Sequence, residues 1–418
     1  MATSSIFTDL TRFILDVGLP ETFRWVVFFA VIWVPIIMIE YTWGIWVAYV
    51  RTAWILSQKK AVLEVKLPQE TFKSPAAMEL VLNALIQTGG EGTVIERYWE
   101  GKARPWASLE LCSINGEVRF FIWCFDNQKN FLMANIYASY PDVAIHEVED
   151  YTDEVARNFD KYDIYTCEYK ATKPDPYPIK TYIDYGLSDD PDEEFKVDPL
   201  ASLIEVLGSI KKEDQIWFQF IARAHTAEKN HFNLRQEDPW IEAAKEEIEK
   251  IAKDVTEVKE DGTKVVHMER LSDAKKEQVK AIERSIGKYG LDVGVRGINI
   301  IPKGRGGFSV GIIKGSFRPF GSNNLNGLMP MAAEFNYPWQ DRSGKKLAAW
   351  RKGMFDMYRA RSYFHPPYTG VDWPTQPIMI LNTEELATLY HFPGSAVKTP
   401  ALHRIPSKRA DAPTNLPV

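Results

Sequence analysis

Cysteine is scarce: Cys112, Cys124 and Cys167 are the only three in 418 residues. So sparse a set excludes a disulfide-stapled secreted framework and fits a reducing compartment. Charge of one sign is lacking too, with 50 Lys and Arg set against 56 Asp and Glu for a net charge of −6. A chain so balanced carries no global signal for nucleic acid, and any DNA contact has to be local. No G-x-x-x-x-G-K-[ST] occurs, which excludes a Walker-type nucleotide pocket. Long hydrophobic runs are missing everywhere except in one place.

That place is Trp25 to Val50 (WVVFFAVIWVPIIMIEYTWGIWVAYV). As a helix, about 26 residues extend roughly 39 Å, more than the ~30 Å of bilayer hydrocarbon. A cleaved signal peptide starts basic, is shorter and ends in small residues. Here the run follows an acidic and aromatic leader and ends in Tyr49, Val50 and Arg51. The sequence therefore predicts a permanent single-pass anchor in a cell membrane, with membrane lipid as a partner. Arg12 and Arg24 precede the run, whereas Arg51, Lys59 and Lys60 follow it, a bias that places the C-terminal part in the cytoplasm. Pro35 is expected to kink the helix. Glu40 lies one turn before Trp43, Trp46 and Tyr49, aromatics of the kind that sit among headgroups. We read the hydrocarbon span as Arg24 to Tyr41 and residues 43–58 as an interfacial helix. The alternative makes Glu40 a buried contact within an oligomer. In the leader (1–23), Ile6, Phe7, Leu10, Phe13, Ile14 and Val17 recur at helical spacing, a pattern suited to lying on the outer surface.

From Ala61 onward the pattern becomes that of a folded body. A strand over 61–67 is followed by a helix from Pro75 to Ile86 with Ser74 as N-cap. A strand over 107–114, the hairpin signal Asn115-Gly116 and a strand over 117–125 come next. A helix from Asn127 to Tyr140 capped by Asp126, then a strand over 143–148, complete the order βαββαβ within 61–155. This is the split βαβ of the ferredoxin-like fold. In strand 117–125 both alternating sets are apolar, so Phe121, Trp123 and Phe125 are expected to meet a further layer, from a second domain or a partner. The same order restarts within 160–335. It runs through strand 164–171, a Pro-rich acidic excursion, helix 198–210, strand 215–224, strand 291–301 and a helix near 308–317. Two charged helices, Pro239 to Val255 and Ser272 to Tyr289, form an insertion over 237–289. The expected fold class is α+β: a single N-terminal transmembrane helix, then two tandem ferredoxin-like units, the second opened by a helical hairpin. A basic helix from Lys345 to about Tyr363 belongs to a segment over 336–394. The chain then ends in a proline-rich extended arm, 395–418.

Catalytic and cofactor motifs are poorly represented. Gly307-Phe308-Ser309-Val310-Gly311 matches the G-x-S-x-G nucleophile elbow, but Pro302 to Gly306 separates Ser309 from the preceding strand, and we read it as a chance match. Lys303, Arg305 and the glycines around them form a loop able to cradle phosphate, although such loops are more often plain turns. His146, His225 and His231 lack the spacing of a metal site. The acidic run Asp189, Asp190, Asp192, Glu193 and Glu194 lacks the ligand pattern of a calcium loop. No cofactor is expected. Lys345, Lys346, Arg351, Lys352, Arg359 and Arg361 accompany Leu347, Trp350, Met354 and Tyr358, a mix suited to DNA phosphates, anionic headgroups or an acidic partner. A helix packing its apolar stripe on the core with its lysines in solvent explains the same residues.

Several long phrases carry a resemblance: DVGVRGINIIPK (292–303), FRPFGSNNLNGLMP (317–330), NYPWQD (336–341), SYFHPPY (362–368), LNTEELATLYHFPG (381–394) and VKTPALHRIPSKRADAPTNLP (397–417). With 109–114 and 145–151, they resemble the membrane-anchored N-terminal region of conjugation-like, type IV secretion proteins of small uncultured bacteria, a domain of unknown function. The resemblance implies a HerA/FtsK-like DNA-translocating ATPase on the same chain or encoded by a neighbouring gene; none of its motifs is in this chain, so it is expected to act in trans. It carries over no catalytic residue. The reading that results is a non-catalytic, homo-oligomeric scaffold seating a hexameric ATPase. Leu381, Leu386, Leu389, Tyr390 and Phe392, with the arm, are the expected docking elements, and Lys303, Arg305, Lys345, Lys346, Arg351 and Lys352 the expected phosphate contacts. The rivals are a membrane-bound serine hydrolase using Ser309 and a lipid-organising protein without a motor.

Overall fold

The first element, α1 (Leu19–Ser57), is one 39-residue helix that continues through Pro35. The computed structural model describes residues 19–68, 73–86, 89, 91–187, 198–226, 238–258, 264–331, 337, 339–365, 378–394, 402 and 404–405. The leader through residue 18, the acidic run 189–194, His231 and the arm apart from Leu402, Arg404 and Ile405 lie outside them. Among the described residues, one helix near the N-terminus is long and apolar enough to cross a membrane.

After α1 come β1 (Lys60–Pro68), α2 (Ala76–Asn83), α3 (Val94–Tyr98), β2 (Trp106–Ile114), β3 (Glu117–Phe125), α4 (Asp126–Ser139), β4 (Ala144–Val148) and α5 (Thr152–Arg157). Next are β5 (Tyr162–Ala171), α6 (Pro199–Gly208), β6 (Gln215–Ala224), α7 (Pro239–Ala252), the short pair β7 (Thr256–Val258) and β8 (Lys264–Val266), and α8 (Asp273–Ile286). The chain continues through β9 (Gly290–Pro302), α9 (Val310–Gly315), β10 (Leu328–Met331), α10 (Lys345–Arg359), β11 (Met379–Asn382), α11 (Thr383–Leu389) and β12 (Arg404–Ile405). Local chemistry accounts for many of these boundaries. Asn115 and Gly116 both hold positive φ, 58° and 86°, as a two-residue hairpin of this twist demands. Asp198 and Asp238 each precede a proline and accept the amide of the residue after it, at 2.8 and 3.0 Å, capping α6 and α7.

Ten strands form one sheet in the order β10-β5-β9-β6-β2-β3-β1-β12, with β4 also paired to β1 and β11 to β9. The fold is therefore mixed α/β around a large antiparallel sheet; the β1 to β12 pairing is parallel. The expected spans 61–155 and 160–335 meet along β2 and β6, which pair antiparallel from Trp106↔Arg223 to Ile114↔Gln215. The sheet is covered on both sides. One core joins Leu63, Leu111, Phe120, Phe218 and Val295 to α2, α4, α6 and α11; the other joins Trp106, Phe121, Trp123, Trp217 and Ile298 to Ile55 of α1, Val155 of α5 and Phe355 and Tyr358 of α10. The layer expected over Phe121, Trp123 and Phe125 is thus the chain's own: Phe121 stacks on Tyr151 at 4.6 Å and Phe125 lies 6.1 Å from Trp54.

Two expectations are corrected here. Leu381, Leu386, Leu389, Tyr390 and Phe392, expected to dock a partner, are all buried in the core. β11 adds to the sheet beside β9, and the rings of Tyr390 and Phe392 pack on Phe120, each 5.6 Å away. The glutamates of α11 are buried because they have internal work: Glu384 pairs with Lys288 at 2.8 Å, and Glu385 closes a capping box with Asn382 while accepting the Ile179 amide at 2.8 Å. Arg361, expected on the basic helix, lies beyond the end of α10 with a positive φ of 49° and is fully buried.

Candidate functional site

The most unusual region is where α1 enters the body. Its outer part exposes Phe23, Trp25, Phe28, Phe29, Ile32, Ile36 and Ile39, while its inner end buries Val50 and Ile55. The transition falls at Trp43. That ring lies 5.6 Å from Tyr98 and 6.0 Å from Trp99, and Trp46 donates its indole N–H to the Tyr98 carbonyl at 3.0 Å. Lower down, Gly101 sits with φ of 67° so close to the helix that a Cβ would lie 2.3 Å from the Val50 carbonyl oxygen. Only glycine combines that backbone conformation with that approach.

Below this junction a charged network is buried at one end of the sheet. Arg51 of α1 faces Nδ1 of His365 at 3.2 Å, and Arg223 faces Nε2 at 3.1 Å. Burial, then the positive charges of Arg223, Arg51 and Arg104, hold the imidazole well below its ordinary pKa. Neutral His365 has one acceptor nitrogen and so can take one of the two guanidinium N–H groups facing it. Arg223 also pairs with Asp292 at 2.9 Å, and Arg104 pairs with Glu91 at 3.1 Å. His225 lies between Asp292 at 2.6 Å and Asp238 at 3.1 Å. Burial opposes protonating this ring, but the bonds to Asp292 and then Asp238 outweigh it and raise its pKa. The ring thereby ties the cap of α7 to β9.

A second buried row crosses the sheet, with Glu110, Gln219, Arg296 and Glu168 opposite one another on β2, β6, β9 and β5. Arg361 grips Glu110 bidentately at 2.9 and 3.1 Å and also pairs with Asp150. Ser108, Gln219 and Tyr151 donate to the same Glu110 carboxylate at 2.7, 2.9 and 2.8 Å. Arg296 pairs with Glu168 at 2.7 Å and donates to the Ser362 carbonyl at 2.7 Å. Every charge in this row faces a protein partner, so the row stitches strands to the 359–365 segment.

The sequence-derived site residues are scattered. Trp43, Trp46 and Tyr49 gather at the α1 junction, where Arg51 turns inward to His365, while Lys59 and Lys60 are exposed. Lys303 is exposed. Arg305 pairs with Asp214, and the Gly304 amide in the expected phosphate loop already binds the Asp163 carboxylate at 2.8 Å. Lys345, Lys346 and Lys352 are exposed, and Arg351 lies over the Phe308 ring at 5.3 Å. Ser309 donates its amide to Asn299 Oδ1 at 2.8 Å and sits seven positions past the end of β9, not on a strand-to-helix elbow. Among the described residues, no group of three or more His, Cys, Asp or Glu is placed to hold a metal ion.

Missed from the sequence were α3, Gly101 and the buried ionic rows. The signals for them are Thr93-x-x-Glu96, a capping box formed in the structure, and single charges inside apolar strands, as in Glu110, Glu168 and Arg296. In comparison with known proteins, the chain matches no family model and no curated protein.

Proposed function

We propose that the chain is a membrane-anchored, non-catalytic scaffold of a conjugation-like, type IV secretion machine. In this reading α1 holds a homo-oligomeric body at the cytoplasmic face, where it seats a HerA/FtsK-like ATPase in trans. One observation supports the anchoring: the outer turns of α1 expose bulky apolar side chains on all sides, while Ile55 at its base packs into the core on the sheet. Apolar surface left in water costs about 25 cal/mol per Å², and lipid removes that cost. The motor partner rests on the sequence resemblance. The accompanying fold reading is two ferredoxin-like units joined edge to edge. Its support is that β4-β1-β3-β2 and β10-β5-β9-β6 repeat one strand order, with α7 and α8 interrupting the β6 to β9 connection.

Carbonate extraction, followed by protease treatment of spheroplasts, tests the anchoring. The chain is expected in the membrane pellet, with its body cleaved only after lysis. A carbonate-soluble chain, or a body cleaved in intact spheroplasts, overturns the reading. Co-expression with a HerA/FtsK-like ATPase and affinity capture from detergent tests the partner. Binding to anionic vesicles with no ATPase captured would support the lipid-organising rival, and ester hydrolysis abolished by Ser309→Ala would support the enzyme.

A further inference from the structure

We infer that α3 is a second membrane contact, a one-turn wedge lying in the headgroup region of the same bilayer leaflet that α1 leaves. The inference rests on the reading of α1 as a membrane span. Val94, Ile95 and Trp99 are 51%, 64% and 61% exposed, and Ile95 and Trp99 stand four residues apart on one face of the turn. Three large apolar side chains on so short a segment are an unfavourable surface to leave in water.

Its height is set by α1. Trp99 packs 6.0 Å from Trp43 and 6.3 Å from Trp46, and the Trp46 indole is hydrogen-bonded to the Tyr98 carbonyl. Counted from Trp25, just past Arg24, the ~30 Å of hydrocarbon takes about 20 helical residues, so the interface falls near Trp43. α3 is therefore level with the tryptophans that mark that boundary, and its exposed face continues theirs. Tryptophan and aliphatic side chains at the edge of a span suit the headgroup to acyl boundary.

The segment is built to hold this position. Thr93 accepts the Glu96 amide and Glu96 accepts the Thr93 amide, both at 3.2 Å, closing the capping box. Lys102 then reaches back to Glu96 at 3.4 Å and Glu100 at 2.7 Å. With its carboxylates occupied in this way, α3 presents its apolar side chains outward.

The test uses the full chain in phosphatidylcholine vesicles containing doxyl-labelled lipids, with an environment-sensitive fluorophore on Ile95→Cys, Leu80→Cys or Ile36→Cys. The native thiols are buried, and the unsubstituted chain controls for their labelling. Leu80 on α2 is 62% exposed and serves as the aqueous reference. Expected is strong quenching at position 95 by doxyl groups near the headgroup, at least threefold above that at position 80, with position 36 quenched best by deep doxyl groups. Quenching at 36 with none above the reference at 95 overturns this inference and leaves the anchor intact. No quenching at 36 overturns the anchor reading, and this inference with it.

Discussion

The two ends of one basic segment meet opposite fates. Lys345, Lys346 and Lys352 project into solvent from α10, whereas Arg361, just past its end, is fully buried and clamped between Glu110 and Asp150. In sequence the cations look alike. What separates them is the surface beneath: Arg361 lies over β2, a strand carrying the Glu110 carboxylate among apolar neighbours. A buried guanidinium is tolerated because its fork is matched by two carboxylates and its remaining N–H donates to the Arg359 carbonyl at 2.7 Å. Lysine could not reproduce that geometry.

The sharpest way to break this contrast is Arg361→Met. It leaves Glu110 without its cation in a dry site and Asp150 without its cation at the partly exposed rim, and a loss of about 3–5 kcal/mol is expected. Thermal unfolding in detergent reads it, and an unchanged midpoint would show that the burial carries no energetic weight. Arg296→Met comes next, expected at about 3 kcal/mol, because one carboxylate rather than two is stranded. Burial already pushes the Glu168 pKa upward against the attraction of Arg296, so protonation of Glu168 softens the loss as pH falls.

His225 tests the contrast with a charge that titrates. Its pKa is raised by folding, so its contribution is complete below about pH 6.5, the ordinary value for histidine, and is lost as pH rises through the elevated value. His225→Gln is expected to flatten the alkaline decline in stability, with amide exchange in α7 as the readout. An unchanged slope would remove His225 from the network. The smallest effect is expected at the exposed end. Replacing Lys345, Lys346 and Lys352 together by Gln should change stability by no more than about 0.5 kcal/mol, while lowering any salt-sensitive retention on anionic vesicles or DNA.

Much of the body was legible. Strand alternation and the Asn115-Gly116 turn gave elements whose ends differ from the structure by a few residues. The expected docking segment Leu381 to Phe392 misled because apolar residues in a sequence do not say whether the chain itself covers them; β9, Phe120 and α2 do. β10 reads as irregular since Pro330 interrupts it, yet it pairs with β5 at the edge of the sheet order, where a missing N–H is tolerated. α3 is too short for any periodic signal, so only its capping residues announce it. Arg361 required knowing that Glu110 lies beneath it, a pairing 251 positions apart in the chain.

Only Gln58 and Lys59 separate α1 from β1, and Gly101 is wedged against the Val50 carbonyl. The junction therefore has no swivel. A tilt of α1 would move the strands with it, as a handle moves a blade.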